Sequence, residues 1–314
     1  MKMTILSSGP LSTVQDLGRY GYMNTGFSSN GAMDAYSFTL ANILVGNERN
    51  EGAIEMTFMG LTATFDCDTV IAVTGADVCP EVNGNPIETY TAVQIRAGDT
   101  LSMKMAKSGM RAYLAVAGGF DIPLCMGSVS TNLKCKMGGF GGRKLAQGDE
   151  IYLKRGTRLL SQEKRSITPS YKNENEIKVR AILGPQNDFF TEKGIEIFLS
   201  SSYSVSDKSD RMGIRLDGEA IENKNGVDII SDGIVAGSVQ IPASGTPIIM
   251  MADRQTTGGY AKIATVITAD LPRVAQARPN DKIRFIAVNS KTAVKLLKNR
   301  EKEFSALEKK MLGK

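Results

Sequence analysis

The apolar residues of this chain come in short runs that break at glycine. "TVIAVTGADV" (69–78) and "RAYLAVAGGF" (111–120) are rich in Val, Ile, Ala and Tyr. Runs of this length and composition read as β-strands and are shorter than the usual helix. "VNGNPIETY" (82–90) carries an Asn83-Gly84 pair, a strong signal for a tight turn between extended segments. The same punctuation returns in "LDGEAIENKNGVDII" and "IPASGTPIIMMA", and glycine totals 32 of 314 residues. These features confine the chain to a mostly β fold of short strands and sharp turns.

Two stretches depart from that pattern. "DAYSFTLANILVGN" offers Asp34 as a helix N-cap, Tyr36, Leu40, Ile43 and Leu44 on one face, and Gly46 as a stop. Near the end, Ala293, Leu297, Phe304, Leu307 and Met311 recur at three- and four-residue spacing, with Arg300 interrupting the stripe. This predicts a basic amphipathic helix over 290–314. Either it docks on its own domain, the simpler reading, or it touches a membrane surface or a partner. A weak repeat also stands out. "VQIRAGDTLSM", "RKLAQGDEIYL" and "AQARPNDKIRF" each set a Gly-Asp or Asn-Asp turn before an alternating strand. A length of 314 residues exceeds the roughly 100–150 of one typical domain. Two domains are therefore expected, over 1–160 and 177–289, joined by the polar stretch from Arg155 to Glu176.

Charge and residue usage exclude several functions. The net charge of +5 resides in the tail: 291–314 holds eight Lys/Arg and three Glu, and the rest is balanced at 30 of each sign. Nucleic-acid partners, which require a basic patch on the folded body, are not expected. No stretch approaches the ~20 apolar residues of a membrane span, and "MKMTILSSGP" is too short in apolar residues for a secretory leader, so a cytoplasmic location is expected. Cys67, Cys79, Cys125 and Cys135 form no C-x-x-C pair, and the chain has no histidine. Reduced thiols and no metal site follow. The missing imidazole also rules out Ser-His-Asp and Cys-His catalysis by this chain. Acid–base work falls to Asp, Glu, Lys, Tyr or bound water.

Four motifs carry candidate chemistry. In "GPLSTVQDLGRYGY", Asp16 and Arg19 lie three apart among glycines. They either brace a turn or present a guanidinium fork to a carboxylate or carbonyl. "MGGFGGRKLAQGD" lacks the Gly-Lys-Ser/Thr of a P-loop, and a turn and strand follow it where a dinucleotide site needs a helix. Its glycines could still offer N–H groups to an anion, though a flexible loop is the better reading. "SDRMGIRLDG" spaces Arg211 and Arg215 four apart, on one face of a strand, lining either a pocket or a solvated edge. "MADRQTTGGYAK" ends an apolar run in Asp253, Arg254, Gln255, Thr256 and Tyr260, with Gly258 and Gly259 permitting close backbone approach. Carboxylate, guanidinium, amide and hydroxyl together suit a small polar amide or acid better than a phosphate.

Together these blocks resemble one family, the KipA-like proteins, which include the C component of bacterial 5-oxoprolinase and are also called allophanate hydrolase subunit 2. The resemblance rests on "GPLSTVQDLGRYGY", "GAMDAYSFTLANILVGN", "AIEMT", "AVTGAD", "AGDTL", "RAYLAVAGGFDIP", "GGFGGRKL", "SDRMGIRLDG", "SDGIVAGSVQIPASGTPIIMMADRQTTGGY" and "PNDKIRF", in the family's order from about residue 5 to 287. It implies two cyclophilin-like β-barrel domains and an obligate KipI-like partner. With a further, LamB/YcsF-like component, such proteins form an ATP-dependent 5-oxoprolinase that opens 5-oxo-L-proline to L-glutamate. ATP would bind at an interface or on a partner, and this chain would be inactive alone. A similar domain in urea carboxylase moves carboxyl from carboxybiotin to urea, and KipA itself is described as a regulator that antagonises KipI. The absence of a fused biotin-carboxylase or biotin-carrier domain favours the 5-oxoprolinase reading.

Position by position, the resemblance implies substrate contacts at Asp16, Arg19, Arg211, Arg215, Gln255 and Thr256, and catalytic roles for Asp253, Arg254 and Tyr260. One position departs: where the family usually reads Gly-Ser-Arg-Ser-Thr, this chain has Gly127-Ser128-Val129-Ser130-Thr131. Valine cannot make the charge-assisted bonds of arginine, which removes anion binding from that position here.

Overall fold

The structure, a computed structural model, describes residues 1–154, 165–171, 176–224, 226 and 228–312. The expected linker from Arg155 to Glu176 therefore lies mostly outside the described residues. The chain divides into two compact units. The first comprises Met1–Tyr20, Asn30–Asn173 and Glu303–Lys314, and the second Gly21–Ser29 and Glu174–Lys302. Both are mostly β, as expected.

The first unit holds two antiparallel sheets. One orders its strands Glu150–Tyr152, Lys2–Ser7, Thr62–Phe65, Thr100–Ser102, Glu81–Val82 and Asn85–Pro86. The other orders Ser12–Gln15, Ala53–Thr57, Ser108–Val116, Thr69–Asp77 and Ala92–Ile95. Met3, Ile5, Ala63, Phe65 and Leu101 from the first sheet pack with Ile54, Met56, Ile71, Val73 and Leu114 from the second in one apolar core. Each large apolar side chain buried there contributes about 1.5–3 kcal/mol.

The far face of the second sheet is covered by helix α1, Ala35–Val45, which packs on Ala53, Val70, Ala72, Tyr113 and Ala115. A sheet buried on both faces needs strands that are apolar throughout. That is why "TVIAVTGAD" and "RAYLAV" show no alternation. Asp34 caps α1 by accepting from the Ser37 N–H at 2.9 Å, and Gly46 ends it in the left-handed region. The expected single apolar face is corrected: every residue from Tyr36 to Val45 is buried. Ser37, Thr39 and Asn42 are small enough to be enclosed and find hydrogen bonds there.

The turn signals hold in atomic detail. Asn83 and Gly84 both take positive φ, 50° and 79°, between the paired strands Glu81–Val82 and Asn85–Pro86, as a type I′ hairpin turn requires. The three repeats share one construction. Asp99, Asp149 and Asp281 each accept, at 2.8 Å, the N–H three residues earlier, from Arg96, Ala146 and Arg278. Each is preceded by a left-handed residue, Gly98, Gly148 or Asn280. Two copies lie in the first unit and one in the second.

The second unit closes on itself. Its seven strands run Glu176–Leu183, Lys262–Val266, Ser238–Gln240, Ile248–Met250, Gly213–Asp217, Tyr203–Val205 and Lys282–Ala287, and the last pairs parallel with the first. Helices α2, Glu192–Ser200, and α3, Leu271–Ala275, belong to this unit. Outside the barrel, Asp228–Gly233 and Thr257–Tyr260 form a separate two-stranded ribbon.

The basic tail is helix α4, Ser290–Leu312. Its docked part is the C-terminal end, within the first unit. Phe304 stacks on Tyr36 with ring centroids 5.6 Å apart, Glu303 accepts the Tyr36 hydroxyl at 2.6 Å, and Glu308 takes Arg49 in a two-pronged pair at 2.7 and 2.6 Å. Leu297, expected in the buried stripe, is exposed. Among the described residues no helix is long and apolar enough to cross a membrane.

Burial leaves the first unit sensitive to base. Desolvation and the Glu303 carboxylate raise the Tyr36 hydroxyl to about 12. Burial first, then neighbouring carboxylates, lift Tyr113 and Tyr171 well above the usual value. Unfolded tyrosines ionise near pH 10. A raised native value means this stability is complete below about pH 10 and is lost as pH climbs through the native values. The urea midpoint is expected to be level up to about pH 9 and to fall between about pH 10 and 12.

Candidate functional site

Asp16 and Arg19 sit in the first unit, and both are turned inward. Asp16, 2 % exposed, accepts from Gly18 N–H, Val129 N–H and the hydroxyls of Ser128 and Ser130 at 2.5–2.8 Å. Arg19 donates to the carbonyls of Cys125 and Ser130 and to Asn30 Oδ1. Together they clamp the 125–130 loop. Val129 belongs to the apolar core and lies close over Gly52, so its side chain serves packing. The glycine-rich loop is also closed on itself. Gly139, Gly141 and Gly142 donate their N–H groups to Val129, Gly139 and Gly138 carbonyls, and Arg143 pairs with both oxygens of Asp149 at 2.7 Å. It is an ordered turn with three of its N–H groups already engaged.

The remaining candidates gather in the second unit, around the ribbon. Arg211 and Asp253 form a two-pronged ion pair at 2.9 and 3.0 Å, reinforced by Asp253 N–H donating to the Arg211 carbonyl. Arg254 is buried and donates to the Ile234 and Met251 carbonyls and to Ser29 Oγ. These three residues therefore build the loop that leads into the ribbon. Thr256 is half-buried, and its carbonyl accepts from Ile234 N–H.

Arg215, Gln255 and Tyr260 share a cleft of about 270 Å³ with Asp210, Gln240 and Ile248. Its floor is the outer wall of the barrel. Arg215 is in register with Ile248, Ile248 with Gln240, and Gln240 with Lys262, giving a row across four strands. Directly opposed residues point to the same face, and the neighbours Ile214, Ile249 and Val239 point to the other, where they are buried. The ribbon borders this face through Gly258, Gly259 and Tyr260. Lys262, 2 % exposed, anchors the ribbon by donating to Asp232 Oδ2 at 2.7 Å and to the Gly233 carbonyl at 3.2 Å. That bond, ahead of the Gly233 N–H, holds the Asp232 carboxyl below its usual range.

Among the described residues, the Arg215 guanidinium and the Tyr260 hydroxyl take part in no hydrogen bond or ion pair. A free guanidinium beside free hydroxyl and amide groups can bind a small carboxylate that also carries polar atoms. Gln240, Asp210 and Ile248 were not evident from sequence. Gln240 alone left a trace, as the polar residue between the apolar Val239 and Ile241 of "SVQIP". The described residues hold no cluster of three or more Cys, Asp or Glu able to bind a metal.

Residues 25–287 match the family described as "Carboxyltransferase domain, subdomain A and B". The sequence is similar to the C component of 5-oxoprolinase from Escherichia coli, with 37 % identity over 97 % of this chain and 97 % of that protein. It is likewise similar to the C component of 5-oxoprolinase from Haemophilus influenzae, with 40 % identity over 95 % of this chain and 94 % of that protein. The fold is similar to that of K. lactis urea amidolyase, at a TM-score of 0.90 and 30 % identity. That match covers 98 % of this chain and 20 % of the larger protein.

The inward-facing Asp16 generates a stability prediction. Asp16→Asn leaves donors facing a neutral amide in a buried site and is expected to cost about 3 kcal/mol. Urea unfolding of the variant against the parent chain measures this.

Proposed function

Because the chain belongs to the carboxyltransferase domain family, we propose that it is the C component of an ATP-dependent 5-oxoprolinase. In this reading it works in a cytoplasmic complex with a KipI-like partner and a LamB/YcsF-like partner, and is inactive alone. The observation that carries the reading is the similarity to two 5-oxoprolinase C components along nearly the full length of each sequence. The chemistry of the cleft supports it. The substrate is a small ring with a carboxylate and a lactam. Arg215 offers an unpaired guanidinium for the carboxylate, and Gln255 and Tyr260 offer amide and hydroxyl groups around the ring. Tyr260 is the one expected catalytic residue that lines the cleft, so it is assigned contact with the substrate. Asp253, Arg254 and Arg211 act by holding the loop that positions Gln255 to Tyr260. Asp16, Arg19 and Thr256 are assigned structural support.

The fit to ATP is poor on this chain. Its glycine-rich loop has three N–H groups in internal turn bonds, and no other nucleotide motif is present in the sequence. ATP is assigned to the partner proteins, and the part of this chain is to bind and orient the ring. A second reading, a carboxyltransferase acting on urea or a similar amide, is favoured by the TM-score of 0.90 to urea amidolyase. It requires carboxybiotin from a separate carrier, and urea has no carboxylate for Arg215.

Mixing the chain with KipI-like and LamB/YcsF-like homologues from the same source, 5-oxo-L-proline and ATP is expected to release L-glutamate, and omitting any one protein is expected to stop it. Absence of glutamate from the full mixture overturns the reading, and recovery of a biotinylated protein bound to the chain supports the second. Within the active mixture, Asp253→Ala and Arg254→Ala are expected to abolish turnover while the proteins still co-elute on gel filtration.

A further inference from the structure

The cleft contains a polar group that no contact of the fold explains. Gln240 is only 5 % exposed, yet its carboxamide makes a single hydrogen bond, Nε2 to the Tyr260 carbonyl, at the long distance of 3.5 Å. Among the described residues its Oε1 accepts nothing. That oxygen keeps contact with solvent, unlike the enclosed Gln15 Oε1, so it faces the open cleft and a ligand atom can take the place of water there. Here the amide lines a cleft, where a ligand can satisfy it.

The surroundings hold Gln240 in that place. A side chain at Gly258 would bring its Cβ within 2.9 Å of Gln240 Nε2 and 2.6 Å of Ile234 Cδ1. Both atoms are ends of flexible side chains, so a side chain at residue 258 would push the amide and the Ile234 terminus aside while the ribbon keeps its path. Below it, the register places Ile248 between Gln240 and Arg215. Adjacent strands are about 4.8 Å apart, so the two polar residues rise from Cα positions about 10 Å apart, on either side of an apolar floor.

From this juxtaposition we propose that Gln240 reads the amide edge of the ligand, making the cleft a site for small cyclic cis-amides that carry a carboxylate. A carboxamide presents one donor and one acceptor on a single edge. Its matching partner presents N–H and C=O side by side, as a lactam ring does. A trans peptide bond sets these groups on opposite sides and cannot pair at both positions. The ring carbons lie over Ile248 and the carboxylate meets Arg215. The proposal rests on the reading that this cleft is the substrate site, and it adds the residue that selects an amide with N–H and C=O on one edge over a trans secondary amide.

Three probes separate the two ends of the site: 5-oxo-L-proline, pyrrolidin-2-one, which lacks the carboxylate, and L-proline, which lacks the lactam carbonyl. Their affinities for the full chain are measured by calorimetry or by competition in saturation-transfer NMR. Gln240→Glu, which keeps the shape, loses the donor and adds a negative charge, is expected to weaken 5-oxo-L-proline and pyrrolidin-2-one about tenfold or more and not to weaken L-proline, whose ammonium can pair with the new carboxylate. Gly258→Ala, which displaces the amide without altering Gln240, should reproduce that pattern. Arg215→Ala should weaken 5-oxo-L-proline and L-proline and spare pyrrolidin-2-one. Equal weakening of all three probes by Gln240→Glu, no weakening at all, or no binding of any probe by the parent chain overturns the proposal. The reconstituted mixture tests the function separately. Glutamate release with an unchanged KM in Gln240→Glu removes Gln240 and leaves the 5-oxoprolinase reading standing. The expected probe pattern without glutamate release does the reverse.

Discussion

One parallel strand pair decides where the side chains of the cleft stand. Glu176–Leu183 and Lys282–Ala287 run side by side in the same direction and close an otherwise antiparallel sheet into a barrel. Once the barrel is closed, no strand can slip without disturbing every neighbour, because a one-residue shift turns each side chain to the opposite face. The registers of Gly213–Asp217, Ile248–Met250 and Ser238–Gln240 are thereby locked, and Arg215, Ile248 and Gln240 share one outward row. A bulge after Val239 adds Lys262 to that row, as such irregularities re-aim single side chains. Lys262 then fastens the ribbon over the row through Asp232. Closure, register, row and roof follow from one another.

Much of the fold was legible because local chemistry dictates it. Asn83-Gly84 demands a left-handed pair of residues and takes one. Asp34 and Gly46 bound a helix at the residues that cap it. The three Gly-Asp and Asn-Asp turns close with the same carboxylate bond because an aspartate after a left-handed residue reaches back to the N–H three positions earlier. What could not be read were features set by partners distant in the chain. All-round burial of α1 depends on what covers it, and its small polar residues resemble surface residues in one dimension.

The site divides in the same way. "MADRQTTGGYAK" marked the right region, but its densest charges, Asp253 and Arg254, are spent on Arg211 and on backbone carbonyls. The groups left free are Arg215 and Tyr260, beside the scarcely bonded Gln240, and they come from three separate stretches of the chain. Gly258 attracted notice as a residue that lets a ligand approach the backbone. In the fold its missing side chain leaves room for the ends of Gln240 and Ile234. Arg215 and Gln240, 25 positions apart in sequence, become near neighbours only through Ile248, which sequence pattern records as one more buried apolar residue.

The central claim is that the outer wall of the second barrel, beneath the ribbon, holds the substrate. The most direct measurement is a crystal structure of the chain grown with 5-oxo-L-proline. Ring density in the cleft, with its carboxylate on Arg215 and its lactam edge on Gln240, is the predicted result. A ring bound elsewhere on the chain, with the cleft occupied only by solvent, would contradict the account.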